Sequence, residues 1–197
     1  MKFTSDIDID LADRDALIRQ LDVVSASIRK DRTIKRHNTG VHPTSIPYDP
    51  INKMCSIDYV EAEERGYVKL DLLNVHVYKH VKSEEHLLRL MHEPDWTKLQ
   101  DHECFSRLIH IGKHWNTMLK MPEPINSIPR LAMFLAIIRP GKRHLIGKSW
   151  NEVSKTIWDR NVDGYTFRKS HAVAYAHLVV VQLNLLIEDP TAFSLQE

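Results

Sequence analysis

Asp6-Ile7-Asp8-Ile9-Asp10-Leu11 sets how the rest of the chain is read. Polar and apolar residues alternate strictly, which is the period of a strand with one buried face. Ile7, Ile9 and Leu11 are therefore expected to face a core, with Asp6, Asp8 and Asp10 sharing the opposite face. Same-face neighbours on a strand lie roughly 7 Å apart, at a rise of about 3.3 Å per residue. Three carboxylates at that spacing repel one another, and Asp is disfavoured in strands. A bound divalent cation removes both objections, because hard oxygen ligands suit Mg²⁺ and Mn²⁺. A solvated, Asp-rich edge strand or turn is the plain alternative.

The surrounding chain has the composition of a globular protein that can form one domain or two small lobes, at 197 residues with 43% hydrophobic and 27% charged. No stretch approaches the roughly 18 uninterrupted apolar residues of a membrane span, so no membrane association is expected. Met1 to Asp6 lacks the apolar core of a signal peptide. Cys55 and Cys104 point to neither a disulfide framework nor a cysteine zinc site, so a cytoplasmic location is expected. Net charge is +1 but unevenly spread: residues 1–100 hold 15 Lys/Arg against 17 Asp/Glu, and residues 130–170 hold nine against three. An acidic front and a basic rear suit metal ions plus a polyphosphate, and a charged helical surface would give the same count.

Working outward, Leu11 to Lys30 reads as an amphipathic helix, with Leu17, Leu21, Val24 and Ile28 at helical spacing. Arg36 to Pro50, with Gly40, Pro43, Pro47 and Pro50, reads as loop with short extended pieces. Cys55 to Val60 is a candidate strand, followed by a turn over residues 61–66. Tyr67 to Leu73 is a second alternating strand, with Val68, Leu70 and Leu72 on one face and Lys69 and Asp71 on the other. If it pairs beside the first strand, Asp71 joins Asp6 and Asp8, as in a two-metal site for nucleotidyl transfer. An exposed Lys–Asp pair is the alternative.

Beyond this point the chain reads as mainly helical. Ser83 caps a helix to His92, and Asp101 to Ile111 forms another. Ser127-Ile128-Pro129 introduces the apolar run Leu131 to Ile138. Ser149-x-x-Glu152 has the form of a capping box opening a helix to about Trp158. Lys169 to Glu188 is the longest helix and apolar enough to be buried. Gly141 to Ser149 resembles a phosphate-binding loop but has five residues between its glycines where four are needed. The pairs His76/His80 and His110/His114 have i, i+4 spacing but no zinc-protease glutamate, and read as ordinary surface or half-buried residues.

Four stretches, in order, resemble the catalytic core of the bacterial DNA polymerase III alpha subunit, the C-family replicative polymerase. Ser5 to Leu11, continuing through Asp13-Arg14-Asp15, is similar to the family's P-D-x-D-x-D-F run. Arg36-His37-Asn38-Thr39-Gly40-Val41-His42 is similar to its R-x-x-G-x-H-A segment. Val68-Lys69-Leu70-Asp71-Leu72-Leu73 resembles its V-K-F-D-F-L-G strand. Arg139-Pro140-Gly141 and Phe167 to Ala176 resemble its R-P-G and F-N-K-S-H-A-x-x-Y-A motifs. Residues 79–127 match poorly.

The resemblance implies an α+β fold: a small mixed sheet of the polymerase-beta-like nucleotidyltransferase palm type over residues 1–92, then a mainly helical fingers-like region over 93–197. It implies that Asp6, Asp8 and Asp71 are catalytic and hold Mg²⁺ or Mn²⁺, with Asp10 adjacent. It implies that Lys69, Arg139, Lys142, Arg143, Arg168, Lys169 and His171 contact DNA and dNTP. The expected function is polymerase-like nucleotidyl transfer in DNA replication or repair. The 197 residues hold no counterpart of the family's phosphoesterase domain or Gly-Ser motif, and the 25 residues between Asp10 and Arg36 are too few for its thumb. A non-catalytic nucleic-acid- or replisome-binding protein with the same palm, or one part of a split polymerase that needs a complementary fragment, is the alternative. Other replication proteins are the expected partners, and a protein this short suits a phage.

Overall fold

Strand pairing rather than helix packing organises the front of the chain. The computed structural model describes residues 7–159 and 167–193. The chain divides into two compact units, Met1–Lys79 and His80–Glu197. It is α+β, with a small mixed four-stranded sheet in the first unit and helices dominating the second.

In the first unit the elements run β1 (Ile7–Leu11), α1 (Arg14–Ile18), β2 (Val24–Lys30), β3 (Thr33–His42), β4 (Tyr48–Asp49), β5 (Met54–Cys55), α2 (Tyr59–Glu64) and β6 (Leu70–Asn74). The sheet order is β1-β6-β3-β2, and β4 and β5 form a separate two-stranded ladder. β1 runs parallel to β6, while β3 is antiparallel to both β6 and β2. β6 begins at Leu70 rather than at Tyr67, and its pairing with β1 meets the condition on which Asp71 joins the first strand's carboxylates.

Four expectations are corrected. The helix expected over Leu11–Lys30 stops at Ile18, and Val24–Lys30 is a strand. Val24, Ala26 and Ile28 also satisfy a two-residue period, the β-branched residues here favour extended backbone, and Ser25 and Ser27 are unfavourable in a helix interior. Residues 36–50 were expected to be loop, yet Thr33–His42 is a ten-residue strand inside the sheet. Its Gly40 is a packing device: a Cβ there would sit 3.0 Å from Ala26 Cβ, His37 Nδ1 and Lys69 Cδ. Met54–Cys55 is only a two-residue strand, and the expected turn after Val60 is α2, whose N-cap Asp58 accepts from Val60 N–H at 2.9 Å.

Ile7 and Ile9 do not face a core either. They are 42% and 37% exposed, because β1 lies at the sheet edge. The buried residues of this unit instead include Ala26, Val41, Leu72, Cys55 and Ala62.

The second unit contains α3 (Glu84–Leu90), α4 (His102–Ser106), α5 (Trp115–Met118), α6 (Ile128–Ile137), α7 (Trp150–Thr156) and α8 (Lys169–Glu188). Ser83, Ser127 and Ser149 cap α3, α6 and α7, and the Ser149–Glu152 capping box is complete. α6 packs on α8, and Leu131, Phe134 and Leu135 join Val179, Val180 and Leu183 in one core. α8 is long and apolar enough to cross a membrane by length and composition alone, and its apolar residues are largely buried in this unit. α3 also belongs to this unit: its buried His86 donates Nε2–H to Glu188 Oε2 at 2.9 Å, with Nδ1 accepting from Lys82 N–H. The helix expected over Asp101–Ile111 ends at Ser106. Leu131–Ile138, which a phosphate-binding loop would need as a strand, lies on the helix α6 and its C-cap, and Pro140–Leu145 is a 3-10 turn.

A candidate carboxylate site on the first sheet

Register decides which side chains meet. Asp8 is the partner of Asp71 across the parallel β1–β6 ladder, and Asp71 is the partner of Gly40 across the antiparallel one. Register partners on strands about 4.8 Å apart present their side chains to the same face. Asp8 and Asp71 are thus neighbours on one face, with Asp10 two residues further along β1. Asp6 lies outside the described residues. Asp8 is exposed and Asp10 half-buried.

Asp71 is only 13% exposed in its side chain and is held at both oxygens. The Lys69 ammonium donates to Oδ2, and the Thr39 hydroxyl donates to Oδ1 at 2.7 Å. Burial alone would push this carboxyl up, but those two donors and the charge of Lys69 bring it below the usual range. Lys69 is itself nearly buried and lies 5.5 Å from the centre of the Tyr59 ring, a cation–π contact.

His37 sits 3.8 Å from Asp71 Oδ1, beyond hydrogen-bond reach. Its Nδ1 accepts the backbone N–H of Gly40 at 2.8 Å and of Thr39 at 3.3 Å, so that nitrogen carries a lone pair. Burial and the Lys69 charge hold the imidazole below its ordinary value. Its work is to fold the β3 backbone around Gly40 and so aim Thr39.

Asp10 is displaced the other way, upward, first by burial and then by the charge of Asp8. Tyr78 is raised as well, by burial and then by Asp10. Asp8 and Asp10 therefore feel one another as like charges, which a cation would relieve. The donor chemistry fits Mg²⁺ or Mn²⁺, which use one or two carboxylates completed by substrate phosphates. Among the described residues, no three His, Cys, Asp or Glu side chains gather as a complete metal-holding group. The described part supplies the Asp8–Asp71 pair.

Thr39, His37 and Tyr59 were missed because the first two fall where loop was expected, and Tyr59 where a strand was expected. Arg14 was missed as well. Its backbone N–H donates to Asn74 Oδ1 at 2.9 Å, and its Nε and Nη2 are buried with no partner among the described residues.

The other candidate residues lie in the second unit. Arg139 is half-buried, with its guanidinium 4.7 Å from the Phe167 ring centre. Arg143 and Arg168 are exposed, His171 is half-buried, and Lys169 places its ammonium 6.0 Å from the Trp158 ring centre. Lys142 is turned inward: it is 7% exposed and donates to Thr156 O at 3.0 Å and Asp159 O at 2.8 Å. Its ammonium ties down the C-terminal end of α7 instead of meeting a nucleic acid. No protein family, curated protein or solved structure matches the chain.

Proposed function

We propose that the first unit is a palm-like nucleotidyl-transfer domain and that the protein acts in DNA replication or repair as a minimal polymerase of the C-family type. The observation that carries this reading is the in-register pairing of Asp8 with Asp71. Two strands from distant parts of the sequence bring like charges together on a sheet face, which is costly without a counter-ion.

Asp8 and Asp71, with Asp6, would hold Mg²⁺ or Mn²⁺, and Asp10 would add negative charge beside them. When bound, such ions activate a primer 3′-hydroxyl and steady the leaving pyrophosphate. Thr39 and Lys69 fix the orientation of Asp71, so that its carboxylate needs little reorganisation. In the second unit Arg139, Arg143, Arg168, Lys169 and His171 remain the proposed contacts to DNA and dNTP, and Lys142 is withdrawn from that set.

Extension of a primed DNA template with Mg²⁺ or Mn²⁺ and all four dNTPs tests the reading. Incorporation by the wild type that is lost in Asp8→Asn supports it; incorporation that survives this change refutes it. A second reading, a binding protein or polymerase fragment that keeps the sheet, is favoured by one observation: Lys69 already neutralises Asp71 without a metal. That reading expects no incorporation from either protein, and incorporation only on addition of a complementary fragment if the polymerase is split.

A further inference from the structure

Asp71 already has a cation. Lys69, one residue ahead of β6, alternates with Asp71 and so projects to the same face of the sheet. Its ammonium donates to Asp71 Oδ2, while the Thr39 hydroxyl takes Oδ1 at 2.7 Å. The two side chains are only 11% and 13% exposed. The pair is made largely out of water, where opposite charges hold each other more tightly than on an open surface.

The lysine is built in along its length. A Cβ at Gly40 would sit 3.0 Å from Lys69 Cδ, so the stem crosses the bare backbone that the glycine leaves. The ammonium is 5.5 Å from the centre of the half-buried Tyr59 ring. His37 meets that ring edge-on, at 5.3 Å and 67°. Tyr59 opens α2, and the N-cap of α2, Asp58, also accepts the Arg29 N–H of β2, which ties the ring to the sheet.

Stem and ring fix where Lys69 lies. The bond from the ammonium to Oδ2 is the exchangeable part, because a carboxylate oxygen that accepts an ammonium also ligates a hard divalent ion. An ammonium that leaves Oδ2 keeps the face of Tyr59, which attracts a cation without a carboxylate. Thr39 holds Oδ1 in either case. A divalent ion brings two charges where Lys69 supplies one, and the register places Asp8 where the ion can use it as well.

We propose that Lys69 is the resident counter-ion of the carboxylate site, and that a divalent cation binds by taking its place on Asp71 and moving the ammonium onto Tyr59. The inference rests on the metal-binding part of the nucleotidyl-transfer reading and adds its regulation. The bond that satisfies Asp71 without a metal also sets how tightly a metal binds.

The test is titration of the full chain with Mn²⁺, followed by electron paramagnetic resonance, without primer or nucleotide. Lys69→Met keeps an unbranched stem and removes the charge, and is expected to bind Mn²⁺ at least about tenfold more tightly than the wild type. Lys69→Arg keeps the charge and is expected to bind no more tightly. In EDTA, Lys69→Met is expected to melt below the wild type, because a nearly buried carboxylate has lost its partner. Mn²⁺ is then expected to raise its Tm by more than it raises that of the wild type. Unchanged or weaker binding in a Lys69→Met protein that melts cooperatively overturns the proposal. Tightening in both variants, or no Mn²⁺ binding by wild type and Lys69→Met alike, overturns it too.

Acetylation of the wild type by an amine-reactive ester, read at Lys69 by peptide mass spectrometry, needs no folded variant. Lys69 is expected to be protected in EDTA and modified faster in saturating Mg²⁺; equal rates overturn the proposal. The two readings fail separately. Tighter binding by Lys69→Met in a protein that extends no primer keeps the exchange and removes the transfer reading. Primer extension by a wild type whose Lys69→Met variant binds no tighter keeps transfer and removes the exchange.

Discussion

The first unit gathers charge on a sheet face, with Asp8 in register with Asp71 and Lys69 bonded to Asp71, while Ile7 and Ile9 are exposed on the other face of β1. The second unit gathers volume, with Phe105 and Phe134 fully buried between helices. Polar groups follow the same division. In the second unit buried polar side chains such as Gln182 and Lys142 are bonded to backbone and hold elements in place. In the first unit Asp71 is held by the side chains of Lys69 and Thr39, and Asp10 is raised by burial and then by Asp8. Asp71 is stabilised by its two donors, whereas Asp10 carries the cost of burial beside the like charge of Asp8, and that cost is what a bound cation would offset.

The sharpest way to break this comparison is by truncation. Phe134→Ala in the second core is expected to cost about 3–5 kcal/mol, and Ile9→Ala on the exposed sheet face less than about 1 kcal/mol. Urea unfolding of each variant measures the difference, and equal costs would remove the contrast. Next in size is Gln182→Leu, which strands Arg107 O and Ile109 N–H and is expected to cost about 1–3 kcal/mol.

The smallest effects belong to the carboxylates, and their signs are opposite. Asp71 has a folded-state pKa below the ordinary carboxylate value of about 3.9. Its stabilising contribution is therefore complete above that value and is lost as pH falls through the depressed folded-state value. Asp71→Asn is expected to flatten the acid side of the stability curve. Asp10 is raised by burial and by Asp8, so at neutral pH its charge opposes folding. Asp8→Asn in EDTA is expected to raise Tm slightly, which a thermal melt at pH 7 measures. A fall in Tm would mean that Asp8 is part of the structural framework rather than a functional charge.

Legibility in the sequence divides along the same line as the two units. α6, α7 and α8 were readable because their signals are local: the caps Ser127 and Ser149, Pro129 at the start of a helix, and a long apolar stretch. β2 and β3 were not, because a strand is defined by its neighbours. Leu17, Leu21, Val24 and Ile28 satisfy a helical period that pairing with β3 overrides. Asp8 and Asp71 could be read from two alternating strands, and their pairing was expected as a condition that the ladder meets. Thr39 and His37 were hidden because Gly40 suggested loop, when its role is to admit a packed ring and a lysine stem. The end of α4 at Ser106 was hidden as well, since the amide that bonds Arg107 O and Ile109 N–H comes from Gln182, far along the chain.

Titration of the purified protein with Mn²⁺, followed by electron paramagnetic resonance, addresses the Asp8–Asp71 pair most directly, because it needs no primer, thumb or nucleotide. Wild-type protein is expected to bind the ion saturably. Asp8→Asn and Asp71→Asn are each expected to weaken that binding by at least the roughly tenfold that changes around metal ligands typically cost. Unchanged Mn²⁺ binding in Asp71→Asn would contradict the assignment and leave the paired carboxylates as a structural feature held by Lys69 and Thr39.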